Sequence, residues 1–330
     1  MKNNDKTLKE YIEIPEIFTE ISDGYLFQGK NVITADELKE NDTVLVSSRK
    51  NKEVRRDVHK NFQKHRMKIG IENQSDIKYS MSVLALIKDG LDMERSIREY
   101  ITDNETAGKR INPVSDGTKD MILYKPVTII FYTGDAVWDG AVNVSELLDS
   151  KSDTDIRQGF RTSDYKFPLG IIDVKHMSDK EMKNYSGDVG ILLRILNFYR
   201  DKSDIESLLD YLSDKTIKYR KTYEVLALLT GEKLFQQFAE GELEKKEEGE
   251  RMCDFIDCIM EMGENKGILI GKSEGIAIGR RDGLKDGIIQ GGIRMLVNLV
   301  KGNKITISDA AQQASMTEEE FIKEMNKSDF

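Results

Sequence analysis

Apolar and polar residues change rhythm along the chain, and the changes mark a strand-rich first half and a helix-rich second half. Residues 7–22 have helical character, interrupted at Pro15, which lacks a backbone donor. Thr34-Ala35-Asp36-Glu37 has the form of a capping box, with Thr34 as N-cap and Glu37 reaching back. Short strands are predicted over 43–48 (TVLVSS), 53–59 (EVRRDVH) and 68–74 (KIGIENQ). From 77 to 100, Val83, Leu84, Ile87, Leu91 and Met93 recur mostly at three- and four-residue steps, which predicts a long helix. Residues 102–120, with Asn104, Gly108, Asn112, Pro113 and Gly117, predict a loop. The stretch 126–133 (PVTIIFYT) is apolar on both faces, as a central strand is, and 169–174 (LGIIDV) reads as another. A long helix between strands implies a crossover to a parallel neighbour.

Downstream, Ser178-x-x-Glu181 and Ser203-x-x-Glu206 are further capping boxes, and helices are expected over 179–200, 204–213 and 216–230, the last closed by Gly231. Residues 240–250 are acidic. Gly263, Gly267, Gly271, Gly275, Gly279, Gly283, Gly287 and Gly291 then recur every four residues. Each glycine costs a helix about 1 kcal/mol relative to alanine. A helix here therefore needs a close neighbour in the glycine groove, and the drift of such a stripe favours a right-handed crossing. A flexible low-complexity tail fits the repeat equally well. Neither a phosphate loop nor a dinucleotide fingerprint is present. Two short helices are expected after 305, the second capped by Thr317-x-x-Glu320, with Met316 and Phe321 spaced as a hydrophobic staple. Their helix-turn-helix shape carries Glu318, Glu319, Glu320 and Glu324 against Lys323 and Lys327, a poor surface for a phosphate-lined groove. The pair reads as a packing or partner-binding element. The expected division is 1–175 as a core domain, 176–240 as a helical extension packed on it, 241–300 as a glycine-repeat helix or linker, and 301–330 as a two-helix element.

Composition adds boundaries. The 330 residues are 38% hydrophobic, enough for a substantial core, and no apolar run reaches the length of a membrane span. The polar N-terminus lacks the apolar stretch of a secretory leader. Cys253 and Cys258 do not have disulfide-framework or zinc spacing, so a reducing cytoplasm is the expected compartment. The net charge of −9 argues against a surface that coats nucleic acid throughout, yet Arg49, Lys50, Lys52, Arg55, Arg56, Lys60, Lys64, Arg66 and Lys68 form a local basic run. A solvated, charged strand pair is the plainer account of that run.

Side chains two apart on a strand share a face, so Glu72 and Gln74 point the same way, and Asp57 on the preceding strand faces them if the two strands pair. Two such carboxylates stay ionised together only with a cation between them. Oxygen ligands select Mg2+ or Mn2+ over zinc, and such an ion generates hydroxide and offsets charge on a phosphate. Arg55, Arg56, Lys60 and Lys68 would then hold a phosphodiester backbone without reading bases. Strand, strand, long helix, buried strand is the order of the PD-(D/E)XK nuclease core.

Specific segments carry a wider likeness: Arg56-Asp57-Val58, Gly70-Ile71-Glu72-Asn73-Gln74-Ser75, Tyr79-Ser80-Met81, the run from Pro126 to Gly134, Trp138-Asp139-Gly140, Asp164-Tyr165-Lys166 and the glycine-rich tail. Over nearly its whole length the chain resembles the Rpn family of recombination-promoting nucleases and transposase-like proteins, within the PD-(D/E)XK superfamily. The resemblance implies an α/β fold, a restriction-endonuclease-like αβββαβ core followed by a mostly helical C-terminal region. It also implies a Mg2+- or Mn2+-dependent DNA endonuclease linked to recombination or mobile elements. Asp57 and Glu72 would be metal ligands, with the backbone carbonyl of Asn73 a third, and Gln74 would orient a water or phosphate oxygen where many relatives of the fold have a lysine. Glu20 is a candidate auxiliary acid, and His59 a candidate second partner of the metal site or a phosphate contact. Tyr79 is open between substrate contact and helix cap. A two-stranded cut implies a homodimer, joined through the glycine repeat. Two rivals stand beside this reading: a catalytically degenerate DNA-binding or partner-binding module, and a toxin or defence nuclease restrained by its own tail.

Overall fold

The computed structural model describes residues 2–46, 53–108, 118–119, 121–151, 153–155, 157–201, 205–213, 215–240, 260, 275, 279–280, 283, 287 and 290–327. Arg49, Lys50 and Lys52, the loop residues Asn112, Pro113 and Gly117, the Ser203 cap, residues 241–250, both cysteines, and Gly263, Gly267 and Gly271 lie outside the described residues. The chain divides into two compact units, Met1–Cys258 and Ile259–Phe330.

The first unit is α/β with a mixed five-stranded sheet. Pro15 separates two helices, α1 (Lys2–Glu13) and α2 (Pro15–Phe27), and sits in the first turn of the second, where its missing N–H costs nothing. The Thr34 segment does not start a helix. It forms one 3₁₀ turn over Ala35–Glu37, and no side-chain hydrogen bond from Thr34 caps it, because the chain enters β1 (Leu38–Glu40) at once. The 53–59 strand expected from the sequence is broken at Arg56 and Asp57. Its first part, β3 (Glu53–Arg55), pairs with β2 (Val44–Val46) as a separate antiparallel ribbon. Its second part, β4 (Val58–Phe62), joins the main sheet beside β5 (Met67–Gln74).

After β5 the chain forms α3 (Met81–Thr106) and returns as β6 (Lys125–Tyr132), followed by β7 (Gly170–Asp173). Strand order is β1-β4-β5-β6-β7, antiparallel from β1 to β5 and parallel from β5 to β7. Alternation along β5 sends Ile69 and Ile71 to the face covered by α1, while Lys68, Gly70, Glu72 and Gln74 face α3.

The aliphatic residues whose spacing marks α3 in the sequence are not the ones it packs against the sheet. Val83, Leu84 and Ile87 are exposed, at 37%, 40% and 43%. The buried stripe is Met81, Ala85, Asp92 and Ser96, polar in its second half, because the sheet face beneath it carries charge. The ribbon is tied to the same helix by Arg95, which donates to the carbonyls of Asp42 and Val44.

The region after β7 is mostly helical: α4 (Asp179–Met182), α5 (Asp188–Asp201), α6 (Ile205–Leu212), α7 (Arg220–Thr230) and α8 (Lys233–Glu240). Ser178 and Glu181 make the expected reciprocal cap. Gly231, at φ 75°, closes α7 in the left-handed conformation that only glycine adopts cheaply. The single helix expected over 179–200 is two. Val189, Ile191, Leu192, Leu193, Ile195 and Leu196 are all buried in α5, so this helix is surrounded by others, α2, α6 and α7 among them. At its start buried Asp188 accepts from Lys218 N (3.0 Å), Tyr219 N (3.0 Å) and Thr222 Oγ1 (2.6 Å), fastening the entry of α7.

In the second unit, the helix of residues 290–301 (α9), α10 (Ile307–Gln313) and α11 (Glu318–Lys327) enclose Leu296, Val297, Ala310, Ala311 and Phe321. Thr306 with Asp309 and Thr317 with Glu320 cap α10 and α11. Gly275, Gly279, Gly283, Gly287 and Gly291 are helical, and nothing lies within 4 Å of where a Cβ would stand on any of them. The close neighbour that a glycine groove calls for is therefore not supplied by the described residues of this chain. None of the described helices is long and apolar enough to cross a membrane.

Replacing Asp188 with alanine leaves two backbone donors and the buried Thr222 hydroxyl without their acceptor. The expected cost is at least about 2 kcal/mol, read as a lower urea midpoint with an unchanged slope.

Candidate functional site

Asp57 stands at the break between β3 and β4, one residue before Val58, which pairs with Ile71. That register sets Asp57 across from Glu72. Asp57 Oδ2 accepts the backbone N–H of Asn73 at 2.8 Å. The next carbonyl, of Gln74, accepts Thr133 N at 2.8 Å on the β6 side. Alternation of the strand backbone therefore turns the Asn73 carbonyl toward Asp57. Asp57 and Glu72 thus lie on adjoining segments just before β4 begins, close enough for each charge to be felt by the other.

Glu72 is 2% exposed. Its Oε2 accepts from Lys88 Nζ of α3 at 2.6 Å, while its Oε1 is buried with no hydrogen bond and lies 3.7 Å from Arg56 Nη1. Burial pushes the Glu72 carboxyl above its usual range, and the Asp57 charge adds to that. Lys88 and Arg56 work the other way.

Arg56 does not reach solvent. Its side chain is fully buried; Nε (2.9 Å) and Nη2 (2.7 Å) donate to Asp92 Oδ2, Nη2 donates to Asp89 Oδ1 (2.7 Å), and Nη1 donates to Thr128 Oγ1 (2.8 Å). Thr128 in turn donates to Asp89 at 2.7 Å. Burial opposes the guanidinium charge, but Asp92, Asp89 and Glu72 outweigh it and hold the pKa above the ordinary value. The group lies over Gly70, where a Cβ would stand 2.4 Å from Arg56 Nη1 and 2.8 Å from its Cδ. Glycine at the head of the GIENQ segment is thus required by the arginine above it.

His59 is buried beside the same aspartate. Its Nδ1, 3.0 Å from the Asp42 carbonyl, carries the proton, because a carbonyl only accepts. Its Nε2 accepts from Asn41 Nδ2 at 3.1 Å and lies 3.4 Å from Asp92. Burial and the Arg56 charge lower its pKa from the usual value to about 3, so the ring is neutral. His59 is accordingly a packed member of the Arg56–Asp92 cluster, not a phosphate contact.

Several expectations are corrected. Arg56, Lys60 and Lys68 are buried and paired, so they present no cation to a phosphate backbone. Lys60 Nζ donates to the Glu13 carbonyl at the end of α1 and to Glu40, where a cation also complements the helix dipole. Lys68 Nζ binds Glu99 of α3 at 2.8 Å. Arg55 alone of the four points to solvent, 3.7 Å from Glu53. Glu20 is not beside Asp57. Its carboxylate accepts from Gly187 N (2.8 Å), Val189 N (3.0 Å) and Gly190 N (2.9 Å), which caps α5 and explains the break before that helix. A Cβ on Gly187 would stand 2.7 Å from Glu20 Oε2. Tyr79 is exposed before α3 and hydrogen-bonds Asp139, which raises its pKa. Gln74 shares the Glu72 face and is partly exposed.

Sequence reasoning missed Lys88, Asp89, Asp92 and Thr128. A signal was present: Lys88, Asp92, Ser96 and Glu99 continue the three- and four-residue spacing of Met81 and Ala85, which puts them on one helical face. Among the described residues no group of three or more His, Cys, Asp or Glu side chains is placed to hold a metal ion. The available donors are Asp57, the Oε1 of Glu72, which has no hydrogen bond, and the Asn73 carbonyl. This hard-oxygen set fits Mg2+ or Mn2+, ions bound through one or two carboxylates with water completing the shell.

Two variants test this geometry. Gly70→Ala forces the guanidinium off its partners, with an expected loss of about 1–3 kcal/mol in chemical denaturation. For His59 the folded pKa lies below the unfolded one, so between about pH 6.5 and 3 the unfolded chain binds the extra proton and stability falls as the solution is acidified. The raised carboxyls of Glu72 and Asp92 contribute with the opposite sign. The difference between wild type and His59→Gln isolates the histidine. It should slope by up to about 1.4 kcal/mol per pH unit in that window, and a flat difference refutes the neutral, buried ring.

No protein-family model, curated protein or solved structure matches the chain.

Proposed function

We propose that the chain is a metal-dependent DNA endonuclease with a PD-(D/E)XK-type core. The observation that supports the reading is Asp57 held on the Asn73 N–H across from Glu72, one of whose oxygens is buried without a hydrogen bond. A buried acceptor in that state is costly, and a divalent cation satisfies it. The sequence likeness to the Rpn family points the same way.

Asp57, Glu72 and Asn73 would hold Mg2+ or Mn2+, whose chemistry there is to acidify a bound water and offset charge on a phosphate. The chain's own groups set the ligands in place. The Asn73 N–H fixes one oxygen of Asp57, leaving the other to bind. Lys88 fixes Oε2 of Glu72 and leaves Oε1. Arg56 keeps positive potential under that carboxylate while Asp92, Asp89 and Thr128 take four of its hydrogen bonds. Gln74, on the same strand face, is placed to orient water or a phosphate oxygen. With Arg56, Lys60 and Lys68 internal, backbone contacts fall to exposed groups such as Arg55 and Tyr79. The cytoplasmic location, the link to recombination or mobile elements and the homodimer belong to the same proposal. The open groove of the helical glycines is a surface that a second copy would fit.

Supercoiled plasmid incubated with Mg2+ or Mn2+ should be nicked by the wild type and not by the Asp57→Ala/Glu72→Ala double variant. Nicking that persists undiminished in the double variant overturns the site, and DNA binding without cleavage by either protein favours a binding module.

A further inference from the structure

Arg56, Lys60, Lys68, Lys88 and Lys175 are drawn into the first unit, and each has a carboxylate oxygen 2.6–2.8 Å away. Arg194 of α5 is treated differently. It is partly buried, and its three hydrogen bonds all end on backbone carbonyls: Nη1 donates to Tyr185 (3.2 Å) and Gly190 (3.0 Å), and Nη2 to Met182 (3.1 Å). No carboxylate of the described residues pairs with it. Carbonyls satisfy donors but carry no net charge, and a desolvated cation without a counter-charge is costly. Burial lowers the Arg194 pKa, and the more distant charges of Glu20 and Asp179 do not offset it, whereas the carboxylates around Arg56 raise the pKa of that group.

Arg194 lines a cavity of about 480 Å³ among α4, α5 and α6. One face of its guanidinium is covered by the Tyr211 ring, 3.7 Å away. A guanidinium has five N–H groups, so Nε–H and one Nη2–H are left over from the carbonyls. Exposed Lys183 adds a second cation to the lining, and Met182, Phe198 and Leu208 give it an apolar side. Asp179 is the acid of the lining, so one positive charge remains in excess. The volume falls in the range of small-molecule sites, about 300–1,000 Å³, and exceeds what a lone inorganic anion fills.

We propose that this cavity binds a small organic oxyanion, a carboxylate or phosphate group carried on an apolar or aromatic body. The oxyanion takes the remaining donors of Arg194 and the Lys183 ammonium, and the body packs on Met182, Phe198 and Leu208. The planar fork of a guanidinium suits two oxygens of one such group. The site uses neither Asp57 nor Glu72, so it stands independently of the nuclease reading.

Thermal melting of the full-length chain, without DNA or divalent metal, reads this site alone. The probes are adenosine monophosphate, phenylacetate and inorganic phosphate, each compared with sodium chloride at equal ionic strength. The first two separate phosphate from carboxylate, and the third shows whether the organic body is needed. At least one organic probe should raise the melting temperature by about 3 °C or more at ten times its Kd, and by more than inorganic phosphate does at the same concentration. For that probe Arg194→Gln should raise Kd at least about tenfold. Lys183→Glu, at an exposed position, should raise it at least about threefold and decides the matter if Arg194→Gln fails to fold. A wild type that gains nothing over chloride from any probe overturns the proposal, and so does a shift that is unchanged in Lys183→Glu. A response to inorganic phosphate alone overturns the organic ligand.

Discussion

The structure turns on a guanidinium buried where a sheet and a helix meet. Arg56 satisfies carboxylates of α3 and a hydroxyl of β6 while standing over the one residue of β5 with no side chain. Desolvating such a group is expensive, and full pairing is what makes it tolerable. The consequences spread outward. Gly70 must remain glycine, α3 must present aspartates instead of leucines, His59 must stay neutral beside them, and Glu72 acquires a cation beneath it without a hydrogen bond from it. The polar interface between α3 and the sheet is thus one coupled object, and the candidate site is its solvent-facing edge.

The alternation rule was enough to place Glu72 and Gln74 on one face, and the register of β4 on β5 puts Asp57 opposite. The central strand β6 was legible because its apolar run of strand length, in the stretch from Pro126 to Thr133, is flanked by loop residues. What misled was charge. Nine basic residues in a short stretch look like a surface, yet the partners that draw Arg56, Lys60 and Lys68 inward are Asp92, Glu40 and Glu99, each at least 20 positions away. No local pattern announces such pairing. Glu20 failed for the same reason, since the backbone it caps lies 167 to 170 residues further on.

The long helix shows the limit most clearly. Val83, Leu84 and Ile87 mark the helix by their spacing, yet they are exposed. The sheet beneath selects the other stripe because it carries Lys68 and Glu72, which need polar partners more than α3 needs to bury three aliphatics. An unpaired buried charge costs several kcal/mol, whereas an exposed aliphatic side chain forgoes about 1.5–3 kcal/mol. The apolar side of α3 is left facing outward near Tyr79, a surface no rule of composition would have marked.

The links from Asp57 to Asn73 and from Glu72 to Lys88 each span 16 residues, and that from Arg56 to Asp92 spans 36. The two carboxylates, the strand between them and the helix that completes them are therefore one continuous length of chain. Short separations close cheaply and early when a polypeptide folds. As it emerges from synthesis, the chain brings this polar cluster together while β6 is still to come. Thr128, 72 residues beyond Arg56, is the piece that arrives last.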